Sequence, residues 1–456
     1  MGNFYFDSDV TAKCDTRLNN DTVSRLFSGF TFNKCSLLME SGDECTFSVG
    51  NVPLPTLTAD SEYALKINEQ GIAIVGKDYC SLMRGYFAML MKIDWEFGKS
   101  DLYAKECDEQ SSYKFKNRMI HICIFPENTL IQIKRLIRLI GALQYTHIVI
   151  EFWGTLKLDT LPALAWENAF SKNEIKELLK EIRELGLIAI PMFNSLGHAS
   201  QSRFCSGKHT VLDNDSSLFY LFTHDGWAWD LENEQVWKLF KGVRQELYEL
   251  FDPCEYFHIG FDESHIHNSS SFLSERLPYY MSRLTNEVSC EGKRPMIWMD
   301  MLLPPNAYSD MWAHEHSQRS DTECRKILNM LSPDTVLIDW EYDVKKAPIS
   351  TLIYYKNTGF DIMGAPWLNA ENGKAHIDTV ADNNLFGVMQ TTWHTLVDSI
   401  HNMIHFARYF GASLPSWEKQ CPVQTTTATL LRKLTTESLD YLSTGWSGKQ
   451  IKTDII

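Results

Sequence analysis

The sequence predicts an α/β fold: a (β/α)8 TIM barrel preceded by a small α+β domain and followed by a helical C-terminal tail. Three observations predict it. Eight short runs rich in β-branched and aromatic residues recur between residues 118 and 392, helical periods separate several of them, and polar residues and tryptophans collect where the runs end. The expected boundaries are 1–112 for the small domain, 113–415 for the barrel and 416–456 for the tail.

The small domain comes first. "YALKINEQGIAIVG" (63 to 76) reads as a hairpin, with Ala64, Ile67, Ile72 and Ile74 apolar around a turn from Asn68 to Gly71. The helical run "SLMRGYFAMLMKI" follows, and the polar stretch "CDEQSSYKFKN" (107 to 117) marks the boundary. The barrel strands are then "RMIHICI" (118 to 124), "THIVIEF" (146 to 152), "LIAIPMF" (187 to 193), "EYFHIG" (255 to 260), "RPMIWMD" (294 to 300), "TVLIDW" (335 to 340), "FDIMGA" (360 to 365) and "FGVMQTT" (386 to 392). Between them, Ile175, Leu178, Leu179 and Ile182 keep the i, i+3, i+4, i+7 spacing of an amphipathic helix, as do Val236, Leu239, Phe240, Val243, Leu247 and Leu250. Helical patterning is weakest between the fifth, sixth and seventh runs. The tail is read from "TTTATLLRKLTTESLDYLSTGW".

Composition narrows the partners. The 456-residue chain is 44% hydrophobic with a net charge of −15, so it can bury a large core and would be repelled by nucleic acid or an anionic membrane. A small neutral ligand suits it better, and the reading leaves room for a homodimer. The opening "MGNFYFDSDVTAKC" lacks the basic and apolar regions of a secretory leader, Phe6 spoils a myristoylation motif at Gly2, and no run is long enough for a membrane span. The eleven cysteines are odd in number and never spaced as C-x-x-C, so reduced thiols and a cytoplasmic location are expected.

A barrel carries its active site at the C-terminal ends of its strands. Those positions hold Glu151 and Trp153, Asn194 with Gly197 and His198, Asp262 and Glu263, Trp298 and Asp300, Trp340 with Tyr342 and Asp343, Trp367, and Trp393 with His394. Five of the 13 tryptophans fall there, and aromatic faces among carboxylates suit a carbohydrate pocket. Each residue also has a plainer reading: one tryptophan is core packing, one histidine is a satisfied buried group, and adjacent acids are a solvated loop. Taken together, the set favours function. "DESHIHN" offers Asp262, His265 and His267 as metal ligands, but without an HExxH-like spacing. No metal and no cofactor are expected.

At "HIGFDE" the chain resembles glycoside hydrolase family 20, the β-N-acetylhexosaminidases, whose hallmark is His-x-Gly-x-Asp-Glu after the fourth barrel strand. "IPMFNSLGHAS", "WMDML" and "QTTWHT" are similar to other strand-end segments of that family, "YALKINEQGIAIVGKDYCSLMRGYFAML" to its small leading domain, and "IEFWGTLKLD" and "DWEYD" to its hexosaminidase D branch. The resemblance covers residues 55 to 410. It implies a retaining exo-hydrolase in which the substrate's own 2-acetamido oxygen is the nucleophile. Glu263 would be the acid and base, and Asp262 would orient the acetamido group. Tyr342 would donate to the acetamido oxygen, with Trp298, Trp340 and Trp393 walling the site and His198 behind the carboxylates. Arg118 would bind ring hydroxyls, with an ion pair to a barrel acid as its plainer reading. Glu151, Asp300 and Trp367 complete the expected substrate-binding set. The chain departs from the family at Asn194, where an acid is common, at Thr395, where a glutamate is common, and at "WLNAEN", where Asn369 or Glu371 would replace an aspartate. A catalytically silent sugar binder and a metal-dependent hydrolase are the competing readings.

Overall fold

The computed structural model describes residues 2–435, apart from 16, 19, 41–44, 96–100, 201–208, 264–275, 308–318 and 394–395. His265, His267, His394 and Thr395 therefore lie outside the described residues.

The predicted hairpin forms between Tyr63–Asn68 and Gly71–Gly76, with Asn68 paired to Gly71 across a two-residue turn. It sits in a six-stranded sheet in the order Cys35–Glu40, Val10–Asp15, Cys45–Gly50, Gly71–Gly76, Tyr63–Asn68, Cys107–Gln110. The helix Tyr79–Met91 begins where the Asp78 carboxylate accepts from the Ser81 N–H. From Ser81 to Met91 it is buried on every side, because one face lies on the sheet and the other meets barrel helix Leu130–Ala142. Gly85 permits the first contact: a Cβ there would stand 2.6 Å from Ile74.

The barrel strands are β1 (Asn117–Ile124), β2 (His147–Phe152), β3 (Ile188–Met192), β4 (Tyr256–His258), β5 (Arg294–Trp298), β6 (Val336–Asp339), β7 (Asp361–Gly364) and β8 (Gly387–Thr391). They close in sequence order, all parallel, and β8 returns to β1 with Gly387 opposite Asn117. A side chain at Gly387 would meet the Asn117 carbonyl at 2.2 Å, so closure needs glycine there. Alternate residues face inward and fill the lumen with Met119, Val149, Ile190, Met296, Val336, Ile338, Met363 and Met389.

A helix follows each strand, and the strength of its sequence pattern follows its length. Lys172–Glu184 starts in a capping box of Ser171 and Glu174 and buries Ile175, Leu178, Leu179 and Ile182 completely, each worth about 1.5–3 kcal/mol of transfer free energy. Between β6 and β7 only Ser350–Ile353 is helical, which is too short to show a period. In the tail, Val423–Lys433 is helical and wedged among Asn20–Thr31, Leu130–Ala142 and Leu396–Phe410. It joins the small domain to the barrel, and a Cβ at Gly29 would lie 2.1 Å from the Lys433 carbonyl oxygen.

Arg118 corrects a sequence expectation. It is the second residue of β1, at the N-terminal end, six residues short of the mouth or about 20 Å at 3.3 Å per residue. Its guanidinium is 1% exposed, pairs with both Glu62 oxygens at 3.0 Å, donates to the carbonyls of Gln144, Phe115 and Lys116, and lies 3.6 Å over the Tyr113 ring. Arg84 grips the same carboxylate at 2.5 Å. Burial acts to raise the Glu62 pKa, but the two arginines hold it below the usual range. The first-strand arginine thus clamps the small domain to the barrel floor and does not bind sugar. Arg118→Lys, which cannot keep the two-pronged pairing, should cost about 1–3 kcal/mol in denaturant unfolding while leaving KM unchanged. A raised KM at unchanged stability would return the arginine to the substrate site.

Candidate active site

After β4 the chain makes an irregular turn. Gly260, Phe261 and Glu263 all have positive φ (69°, 81° and 47°), and a Cβ at Gly260 would stand 2.5 Å from the Asn194 side chain. His198 (52°) and Trp393 (45°) share this left-handed conformation, so four of the seven described non-glycine residues with positive φ sit at the barrel mouth. Such strain persists only where surrounding contacts impose it.

The turn sends the adjacent carboxylates to different environments. Asp262 is 4% exposed and accepts from Asn194 Nδ2 at 2.8 Å. The Glu263 side chain is 29% exposed and meets His198 Nε2 at 2.7 Å, while the same nitrogen is 3.8 Å from Asp262 Oδ2. Glu263 is also held by its backbone, which donates to Asp300 Oδ2 at 3.1 Å and accepts from the Trp227 indole at 3.1 Å. Trp227 packs its ring 4.4 Å from that of His198. Gly197 lets these segments meet, since a Cβ there would be 2.9 Å from the Asp262 carbonyl.

Aromatic rings surround the doublet. Trp298 is fully buried in the lumen at 5.4 Å from Trp393 and 4.5 Å from His258. His258 Nδ1 accepts from the Gly260 N–H, which makes it a strand residue supporting the turn. Trp340 and Trp367 flank Tyr342 at 5.4 and 5.5 Å, and the Trp393 indole donates to the Tyr342 hydroxyl at 2.7 Å. Burial keeps that phenol protonated, well above its usual pKa. Trp367 donates to the Thr392 carbonyl.

Other expected residues lie deeper or elsewhere. Glu151 is fully buried beneath the wall, bonded to His121 at 3.2 Å and Trp153 at 3.1 Å. Asn369 caps the helix Ala370–Asn383, and Glu371 is 75% exposed, so neither replaces the family's aspartate as a buried pocket acid. Asp343 is exposed. Sequence reasoning missed Trp227 and His121. The "WAW" phrase between aspartates was a usable signal for the first, whereas His121 lies mid-strand with none.

A strained turn presenting one open and one enclosed carboxylate, inside an aromatic mouth on a (β/α)8 barrel, defines a glycoside hydrolase. The catalytic-domain profile of glycosyl hydrolase family 20 matches residues 150–420, more than half of the chain, and the chain belongs to that family. Solved structures agree in fold. Flavobacterium johnsoniae chitobiase superposes with a TM-score of 0.66 at 14% identity, over 99% of this chain and 72% of that one. The β-N-acetylhexosaminidase of Streptomyces coelicolor A3(2) gives 0.66 at 13%, over 95% and 93%. A mutant Streptomyces plicatus β-hexosaminidase in complex with product GlcNAc gives 0.66 at 14%, over 96% and 93%. No curated protein sequence matches the chain.

Asp300 gives the site a pH signature. Burial first, and the Asp262 charge second, raise its pKa well above the ordinary carboxylate value, against the opposing Glu263 N–H. Between the unfolded and folded values the native state holds a proton that the unfolded chain has released, so stability falls as pH rises through that window. Asp300→Asn keeps an acceptor for the Glu263 N–H and removes the titration. Its melting temperature should fall less steeply than that of the wild type as pH rises above the ordinary carboxylate range, and parallel profiles would refute the assignment.

Proposed function

We propose that the protein is a retaining, exo-acting β-N-acetylhexosaminidase that removes terminal β-linked GlcNAc or GalNAc by substrate-assisted catalysis through an oxazolinium intermediate. The observation that carries this reading is the unequal setting of the doublet. Asp262 is enclosed and tied to Asn194, which suits a fixed charge beside the substrate, whereas Glu263 is open to the pocket. A retaining glycosidase needs a nucleophile as well as an acid, and substrate-assisted enzymes take it from the substrate.

In this mechanism Glu263 protonates the leaving oxygen while the acetamido carbonyl oxygen attacks the anomeric carbon, forming the oxazolinium ring. Glu263 then takes a proton from the water that reopens it. Asp262 accepts from the acetamido N–H and offsets the positive charge that develops there. Tyr342, whose oxygen accepts from the Trp393 N–H, is placed by that bond to donate to the acetamido carbonyl. Trp340, Trp367 and Trp393 enclose the acetamido group and sugar face above the buried Trp298, and His198 positions both carboxylates. An oriented internal nucleophile can contribute about 7–11 kcal/mol in ideal cases, and the acid about 10²–10⁴-fold. The names of similar structures, which include a chitobiase and a GlcNAc-bound hexosaminidase, support the substrate class. The odd, scattered cysteines support a cytoplasmic setting.

A panel of aryl β-GlcNAc, β-GalNAc, β-glucoside and 6-sulfated β-GlcNAc tests the proposal. The N-acetylated sugars should turn over and the glucoside should not, because it lacks the nucleophile; a strong glucosidase signal would overturn substrate assistance. Glu263→Gln should reduce turnover about 10²–10⁴-fold, Asp262→Asn should also impair it severely, and a thiazoline mimic of the intermediate should inhibit. Sugar binding without turnover in the wild type would instead identify a silent relative.

A further inference from the structure

Beneath the Trp298–Trp393 wall lies a group that the proposed reaction does not use. On adjacent parallel strands, Cys123 of β1 is paired in register with Glu151 of β2, and His121, two residues earlier, shares the inward face of Cys123. All three are 0% exposed. Their donor atoms form a compact triangle: His121 Nε2 to Glu151 Oε2 is 3.2 Å, Cys123 Sγ to Glu151 Oε2 is 3.5 Å, and Cys123 Sγ to His121 Nε2 is 3.7 Å. Ligands at about 2.0–2.3 Å from a tetrahedral zinc ion stand roughly 3.3–3.6 Å apart, so one ion fits between the three atoms with little movement.

We propose that His121, Cys123 and Glu151 bind a zinc-like divalent ion in the floor of the pocket. One imidazole, one thiolate and one carboxylate form a borderline-soft set that selects zinc over magnesium or calcium, which need several oxygens. Binding releases the Cys123 thiol proton to solvent and forms the metal–sulfur bond. The thiolate and carboxylate then balance the 2+ charge, leaving the buried site neutral. Supporting contacts are in place. The Trp153 indole donates to Glu151 Oε2 at 3.1 Å, and Thr392 Oγ1 accepts from the Cys123 backbone N–H at 3.2 Å. The His121 ring is packed 6.0 Å from Trp298 and 5.0 Å from Trp393, so an ion here would brace the wall of the sugar site. Without an ion, Glu151 Oε2 takes the Trp153 N–H and sits within reach of both the thiol and the imidazole, a hydrogen-bonded cluster that is the alternative outcome of the test.

The full-length protein, reduced with a non-thiol phosphine and stripped with chelator, is reloaded with zinc, and bound metal is counted by mass spectrometry after gel filtration. The wild type should retain one equivalent more than Cys123→Ser. With cobalt it should show a near-ultraviolet thiolate charge-transfer band that Cys123→Ser lacks. Glu151→Gln, which keeps shape but loses the anionic ligand, should weaken zinc binding at least tenfold, and it supplies the comparison should Cys123→Ser fail to give a native circular dichroism spectrum. Equal zinc counts and equal cobalt spectra in wild type and variants overturn the proposal. The readout is metal binding alone, so that result would leave the hexosaminidase reading untouched.

Discussion

The arrangement at the mouth depends on the amide of Asn194. Its Nδ2 donates to Asp262, while its Oδ1 accepts from the backbone N–H groups of Leu196 and Phe261 at 3.4 and 3.3 Å, tying the segments after β3 and β4 together. Only an amide can donate and accept in this way. An aspartate here would place a second charge against Asp262 and leave that oxygen without its donor. The departure from the acid common in the family is therefore a change of chemistry that gives Asp262 a donor and fixes its carboxylate in place. The left-handed residues Phe261, Glu263 and His198 are held in place by these bonds and by the indole of Trp227, so Glu263 stands open at the mouth while Asp262 is enclosed and fixed beside it.

The opposite end of the barrel is organised by a second buried anchor. Glu62 lies between Arg118 and Arg84, and the tail helix Val423–Lys433 fills the angle between the small domain and helices Leu130–Ala142 and Leu396–Phe410. Charges buried in this way stabilise only when fully paired, which the two-pronged contact of Arg118 achieves. The barrel thus keeps its structural arginine at the N-terminal face and its chemistry at the C-terminal one, as expected where strand ends carry the catalytic groups.

Between these ends the lumen changes character. Its lower layers are methionine, valine and isoleucine, and above them come His121, Cys123, Glu151, Trp298 and Asp300. Buried polar groups are costly unless they have partners, so a concentration of them in one layer marks where the barrel interior gives way to a site. The layer supports the tryptophan wall from below. The sugar site therefore has a polar underside that its aromatic surface conceals.

The sequence by itself determined the eight strands, their order and the acidic doublet Asp262–Glu263 at the end of the fourth. Runs of β-branched and aromatic residues and their terminal polar residues are local features, and "HIGFDE" announces its own turn through Gly260. It also exposed the helices long enough to repeat, such as Lys172–Glu184, but not Ser350–Ile353, which spans barely one turn. Tertiary structure decided what depends on partners distant in the chain. Arg118 looked like a sugar ligand until Glu62, 56 residues away, claimed it. Trp227 acquires a role only where it meets Glu263, 36 residues on. His121 and Cys123 are unremarkable strand residues until the pairing of β1 with β2 sets them beside Glu151. Spacing along a strand fixes which face a side chain takes, but which end of the barrel it serves, and which charge it meets there, is set only by the register of the closed sheet.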